Sequence, residues 1–188
     1  MVDLSLHLMD IMQNSVVVDS TYVEVRICAE KKKNLLTISV KDDGWGMSPE
    51  TLKKVSDPFY TTRTTRKAGL GIPLLTDAAQ MAGGEVRIES EPGAGTTTTA
   101  TFQIDNIDRK PLGDVADTMT VSIMGHPELE IHLILKNDES EFVFRTEDVR
   151  AQIGEVPIND VEIISFIRNM LNEQITLLFG GILNEIIS

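Results

Sequence analysis

The stretch KDDGWGM, residues 41–47, ends a β-strand and forces a turn. The four residues before it, TISV, alternate polar and apolar as a half-buried strand does. Two carboxylates followed by two glycines one residue apart cannot prolong that strand. Glycines there would let the backbone approach a flat ligand, and an adjacent carboxylate can accept a hydrogen bond from an amino group. Acidic glycine turns are also common in plain loops. Asp42, Gly44 and Gly46 therefore gain meaning only from the rest of the chain. Asp43 reads as solvated, and Trp45, the only tryptophan, has no assigned role.

Leu4 to Val18 reads as a helix: Leu4, Leu8, Ile11, Met12 and Ser15 follow helical spacing, with His7, Asp10 and Asn14 along another side. Strands are expected at Tyr22 to Glu30 and Asn34 to Asp42, joined as a hairpin by Lys31 to Lys33. Ser48 reads as an N-cap with Pro49 at the first helical position of a short helix through Val55. Residues 57–68 read as a loop, and a helix is expected from about Leu70 to Met81, ended by Gly83 and Gly84. Strands at 85–91 and 96–104 close the unit around the turn at 92–95. The order gives an α+β chain, a two-layer α/β sandwich with helices on one face of a sheet over residues 1–104. Residues 105–117 are polar, broken by Pro111 and Gly113, and read as a linker. Residues 118–188 read as an acidic α+β module or C-terminal extension, with strands at 119–124, 130–136 and 141–145 and helices at 147–152 and 160–178.

Charge separates the two parts. Residues 1–104 hold 11 Lys and Arg against 13 Asp and Glu; residues 105–188 hold 6 against 16. The first part can hold an anionic ligand against local cations, whereas the second would repel a phosphate backbone, which argues against nucleic-acid binding. A single cysteine, Cys28, excludes an internal disulfide framework and suits a reducing compartment. The N-terminus lacks a signal-peptide pattern, and the apolar run TLLFGGIL is far shorter than the roughly 20 residues that span a bilayer. A cytoplasmic protein without a membrane span is expected.

Three further stretches bear on chemistry. Asp10 and Asn14, four apart on one helix, place a carboxylate beside an amide, a pair suited to a water and a hard cation. Alone, such a pair more often belongs to a solvated polar face. Arg63, Arg66 and Lys67 crowd before GLGI at 69–72, where a glycine-rich helix start would offer free N–H groups to an anion. PGAGTT at 92–97 is a glycine turn entering a threonine-rich strand. Neither the Walker pattern nor Gly-x-Gly-x-x-Gly occurs at these places.

In order and spacing these stretches resemble the Bergerat-fold, or GHKL, ATPases. That superfamily includes histidine-kinase catalytic domains, type II topoisomerases, heat-shock chaperones and mismatch-repair ATPases. Asp10 and Asn14 match its N box, Asp42 to Gly46 its G1 box, Gly69 to Gly71 its G2 box, and Gly95-Thr96-Thr97 its G3 region. DPFYTT and GLGI are most similar to histidine kinases and anti-sigma-factor kinases, whereas the residues after Asn14 are closer to the mismatch-repair style. The resemblance covers about residues 1–104.

The resemblance implies ATP and Mg²⁺ as ligands. Asp42 would accept the adenine amino group, Gly44 and Gly46 would give the ring room, and Thr97 would assist near it. Asn14 would coordinate Mg²⁺, Asp10 would be the general base, and Gly69, Leu70 and Gly71 would bring helix amides to the phosphates. Arg63, Arg66 and Lys67 would belong to the ATP lid. Two departures stand out: Lys67 replaces a further glycine, and Asp replaces the commoner Glu at the base, a shorter arm that could slow hydrolysis. No helix bearing a phospho-accepting histidine is expected ahead of the fold. His7 reads as local structure, and His126 and His132 lack acceptor-like surroundings. The reading is a stand-alone kinase or ATPase subunit acting on a separate protein. The alternative is a nucleotide-gated binding module with little turnover. The apolar pattern at 161–178 suits a core face or a homo-oligomer contact.

Overall fold

The computed structural model describes residues 3–55, 71–180 and 183. Its elements are α1 (Leu4–Val17), β1 (Tyr22–Glu30), β2 (Leu35–Asp42), α2 (Pro49–Val55), α3 (Gly71–Met81), β3 (Val86–Glu91) and β4 (Gly95–Gln103), followed by α4 (Val115–Gly125), β5 (Glu130–Asn137), β6 (Glu141–Arg145), α5 (Thr146–Ile153) and α6 (Val161–Phe179). The six strands form one mixed sheet in the order β3-β4-β2-β1-β5-β6, parallel only between β1 and β5. The α+β sandwich expected from the sequence is what the chain adopts.

Alternation along the strands decides which face is covered. In β1, Val23, Val25, Ile27 and Ala29 are buried while the residues between them are half-buried. The register puts Leu36, Ile38 and Val40 of β2 and Ile131, Leu133 and Leu135 of β5 on the same face. Leu4, Leu8, Ile11 and Met12 of α1, with Leu75 and Ala79 of α3, Met119 and Ile123 of α4 and Ile167 and Leu171 of α6, complete one buried cluster with them. Fully burying each of the Val, Leu, Ile and Met side chains among them stabilises by about 1.5–3 kcal/mol.

The sheet does not stop at residue 104. Strand β5 lies alongside β1 in parallel, so the acidic part extends the first sheet and shares its core. Residues 105–117, expected as a linker, contain a buried Arg109 and Leu112. Arg109 donates from Nε to the Ile104 carbonyl at 2.7 Å and from Nη1 to the Leu183 carbonyl at 2.9 Å. Leu4 N–H donates to the Pro111 carbonyl at 2.9 Å, which ties this stretch to the start of α1.

The strand expected at 119–124 is a correction: these residues lie in helix α4. Their β-branched content favours a strand, but Asp114 caps the helix by accepting from Asp117 N–H at 2.8 Å. Thr118, Thr120 and Ser122 turn their hydroxyls back onto carbonyls four residues earlier. Val115, Met119 and Ile123, four apart, are buried together. Tertiary burial on a helical period outweighs local propensity here.

Candidate functional site

Asp42 is the last residue of β2, on the helix-covered face of the sheet, and only 7% exposed. Its Oδ2 accepts the Ser15 hydroxyl of α1 at 3.0 Å. Its Oδ1 accepts Gly44 N–H at 3.0 Å and Thr96 N–H of β4 at 3.2 Å. A carboxylate offers about four lone-pair positions. Three are used, so one on Oδ2 remains for a further donor. A buried carboxylate fixed by helix, turn and neighbouring strand is a preorganised acceptor rather than a solvated turn residue.

The glycines around it are required first by the chain itself. A Cβ on Gly44 would overlap Val18 Cγ2, and one on Gly46, at φ +68°, would run into the Glu91 carbonyl. Gly95 has φ +86°, and a Cβ there would strike the Asp42 carbonyl. The bareness expected to make room for a ring also serves packing within the chain, against the Val18 side chain at Gly44 and against backbone at Gly46 and Gly95. Trp45 is 62% exposed, while its backbone bridges Val18 and Gly93 through bonds of 3.3 and 2.7 Å.

On the other side of α1, Asp10 meets α3. A Cβ on Gly71 would lie 3.0 Å from Asp10 Cβ and 3.3 Å from its Oδ2, so a side chain there would press on Asp10. Asn14 is half-buried one turn on and directly precedes Ser15. Helix α1 thus connects Asp10 and Asn14 to Asp42 through a single turn. His7, one turn earlier, is 3% exposed. Desolvation holds its pKa below the ordinary value, which keeps the ring neutral. Arg63, Arg66, Lys67, Gly69 and Leu70 lie outside the described residues.

The geometry bears on two further readings. Thr97 pairs with Lys41 of β2 and Glu89 of β3, whereas Thr96 pairs with Asp42. Successive strand residues point to opposite faces, so Thr97 is turned away from Asp42 and Thr96 and the buried Thr98 lie on the Asp42 side. Asp43 is exposed, as expected, and is also hydrogen-bonded. It accepts from Thr21 N–H at 2.8 Å, the Thr21 hydroxyl at 2.6 Å and Tyr22 N–H at 2.9 Å. Partial burial pushes its pKa up, but these hydrogen bonds outweigh that and hold the carboxyl below the usual range.

Ser15 and the Thr96 backbone were missed as parts of the site. The signal was available in both cases. Ser15 sits at a buried helical position next to Asn14, and period-two counting from the paired strand separates Thr96 from Thr97.

Comparison with known proteins bears on the family and the fold. Residues 2–106 match the family described as histidine kinase-, DNA gyrase B- and HSP90-like ATPase. Sporulation kinase C of Bacillus subtilis (strain 168) is 42% identical over 72 residues, covering 38% of this chain and 17% of that protein. Sporulation kinase E of the same organism is 36% identical over 97 residues, covering 50% of this chain and 13% of that protein. The chain thus spans less than a fifth of the length of either relative. Among solved structures, the N-terminal domain of a DNA repair protein superposes with a TM-score of 0.50 at 11% identity, covering 76% of this chain and 52% of that one, a likeness of fold alone. No helix among the described residues is long and apolar enough to cross a membrane.

Proposed function

Since residues 2–106 place the chain in the histidine kinase-, DNA gyrase B- and HSP90-like ATPase family, a family of ATP-binding domains, we propose that it binds ATP with Mg²⁺ and serves as a kinase or ATPase subunit acting on a separate protein. The observation that carries this reading is Asp42, buried and held by three donors with one acceptor position left. That position suits an exocyclic amino group, which a purine such as adenine offers. Thr96 and Thr98, rather than Thr97, line the same face of the sheet.

Asp10 and Asn14 present only oxygen acceptors and an amide, a donor set that fits a hard cation such as Mg²⁺. When bound, that ion would neutralise charge between the phosphates. Asn14 is the residue proposed to hold it, and Asp10, placed against the start of α3, is the proposed proton acceptor for the attacking hydroxyl or water. The Gly71 and Ile72 N–H groups at the helix start favour an anion through the helix dipole. Gly69, Leu70, Arg63, Arg66 and Lys67 are proposed to complete the phosphate end by their place in the family pattern. The test is a calorimetric titration with ATP and Mg²⁺ of the unmodified protein against Asp42→Asn.

A nucleotide-gated module without turnover is the second reading. The shorter Asp at position 10 favours it, since a misplaced base costs rate but not affinity. Asp10→Asn separates the two: loss of phosphotransfer with retained binding supports the enzyme, and absence of any turnover to lose supports the module.

A further inference from the structure

Away from the Asp42 side, on the opposite face of the sheet, Glu130 and His132 of β5 and Glu147 in the first turn of α5 bring three ligand atoms within 4.8 Å of one another. His132 Nε2 lies 3.1 Å from Glu130 Oε1 and 3.9 Å from Glu147 Oε1. It is buried and finds no hydrogen-bond partner, although the Glu130 oxygen is close. The reason is on the other side of the ring. Tyr22 Oη lies 3.2 Å from His132 Nδ1 and donates its single proton to Glu24 Oε2 at 3.0 Å. With the Tyr22 proton on Glu24, Nδ1 carries the hydrogen and donates to Tyr22, and Nε2 then presents its lone pair to two carboxylates. Three lone-pair bearers pointed at one another repel unless a cation or a proton lies between them.

We propose that Glu130, His132 and Glu147 bind a divalent transition cation of the zinc type. Imidazole with two carboxylates selects that class over Mg²⁺ or Ca²⁺, which prefer oxygen alone. Bonds of about 2.0–2.2 Å at tetrahedral or octahedral angles set neighbouring ligand atoms about 3.0–3.4 Å apart. The Nε2 to Glu130 distance already meets this, and the exposed Glu147 side chain needs a small rotation to do so. The outer contacts have the form such sites use. Tyr22 sets the ring's tautomer, while Arg150 Nη1 fixes Glu130 Oε2 at 2.7 Å and is itself anchored on the Pro127 and Leu129 carbonyls at 2.8 and 2.9 Å. Glu147 N–H adds a bond of 3.0 Å to Glu130 Oε1, whose other lone pair faces the ring. The bound ion fastens the start of α5 to the sheet, keeps its remaining position for water, and is separate from any metal carried by a nucleotide.

A proton on Nε2 is the rival, since an imidazolium would satisfy the same carboxylates. Chelator-treated full chain titrated with zinc chloride in a calorimeter, without nucleotide, separates them. One zinc per chain is expected, with affinity falling at least about tenfold in Glu147→Gln and no binding in His132→Ala. Glu147 is exposed, so Glu147→Gln reads the site even if His132→Ala does not fold. X-ray absorption of the zinc-loaded protein is expected to show nitrogen and oxygen ligands without sulfur. No zinc binding, binding unchanged in Glu147→Gln, or a sulfur ligand from Cys28 overturns the proposal.

Discussion

Ser15 of α1 donates its hydroxyl to Asp42 of β2 at 3.0 Å across 27 positions of sequence. This bond joins the helix that carries Asp10 and Asn14 to the strand end that carries the buried carboxylate. Ser15→Ala removes one of three donors and frees the carboxylate to rotate. Stability is expected to fall by about 1 kcal/mol, and ATP affinity about three- to tenfold. Chemical denaturation and calorimetry read the two effects separately.

Gly95 stands where the chain needs both a positive φ of +86° and the absence of a side chain against the Asp42 carbonyl. Gly95→Ala strains the backbone and pushes β4 from β2 at the Asp42–Thr96 pair. A loss of about 2 kcal/mol or more is expected, read as a lower midpoint in thermal unfolding. Gly93→Ala is a control for space alone, because nothing lies within 4 Å of a Cβ there, although its φ of +78° carries the same local strain.

Asp43 joins the start of β1 to the end of β2, and its folded pKa lies below the ordinary 3.8. A depressed carboxyl contributes stability that is present above its unfolded value and lost as pH falls through the folded one. Asp43→Ala is expected to cost about 1 kcal/mol at neutral pH. The gap between variant and parent should narrow below pH 3.8. Urea midpoints measured across the acid range show whether it does.

Much of this was legible in the sequence because its period and punctuation were clear. Strands β1 and β2 alternate cleanly, and the first helix carries its apolar residues at helical spacing. The Asp42 site was legible through one carboxylate and the glycines around it. What could not be read was contact between distant segments: the Ser15 hydroxyl on Asp42, the Thr21 and Tyr22 amides on Asp43, and the Glu91 carbonyl under Gly46. Helix α4 was misread because Thr, Val and Ile favour strands locally, while the buried face of Val115, Met119 and Ile123 becomes evident only against α1 and α6. The parallel pairing of β5 with β1 was likewise invisible, since nothing local marks a strand's partner.

Asp10 lies against Gly71 at the start of α3, close enough that a side chain at position 71 would press on it. Asp10→Asn preserves shape and removes the proposed proton acceptor. ATP affinity is expected to stay within about threefold while turnover or phosphotransfer falls at least about 100-fold. Single-turnover measurements with labelled ATP and candidate protein acceptors check this.

The central claim is that Asp42 is the acceptor for the nucleotide base. Calorimetric titration of ATP with Mg²⁺ into the unmodified protein and Asp42→Asn tests it most directly, with circular dichroism confirming that both are folded. Replacing a buried, charged acceptor by an amide is expected to weaken binding about tenfold or more. Equal affinity in a folded Asp42→Asn protein would contradict the account.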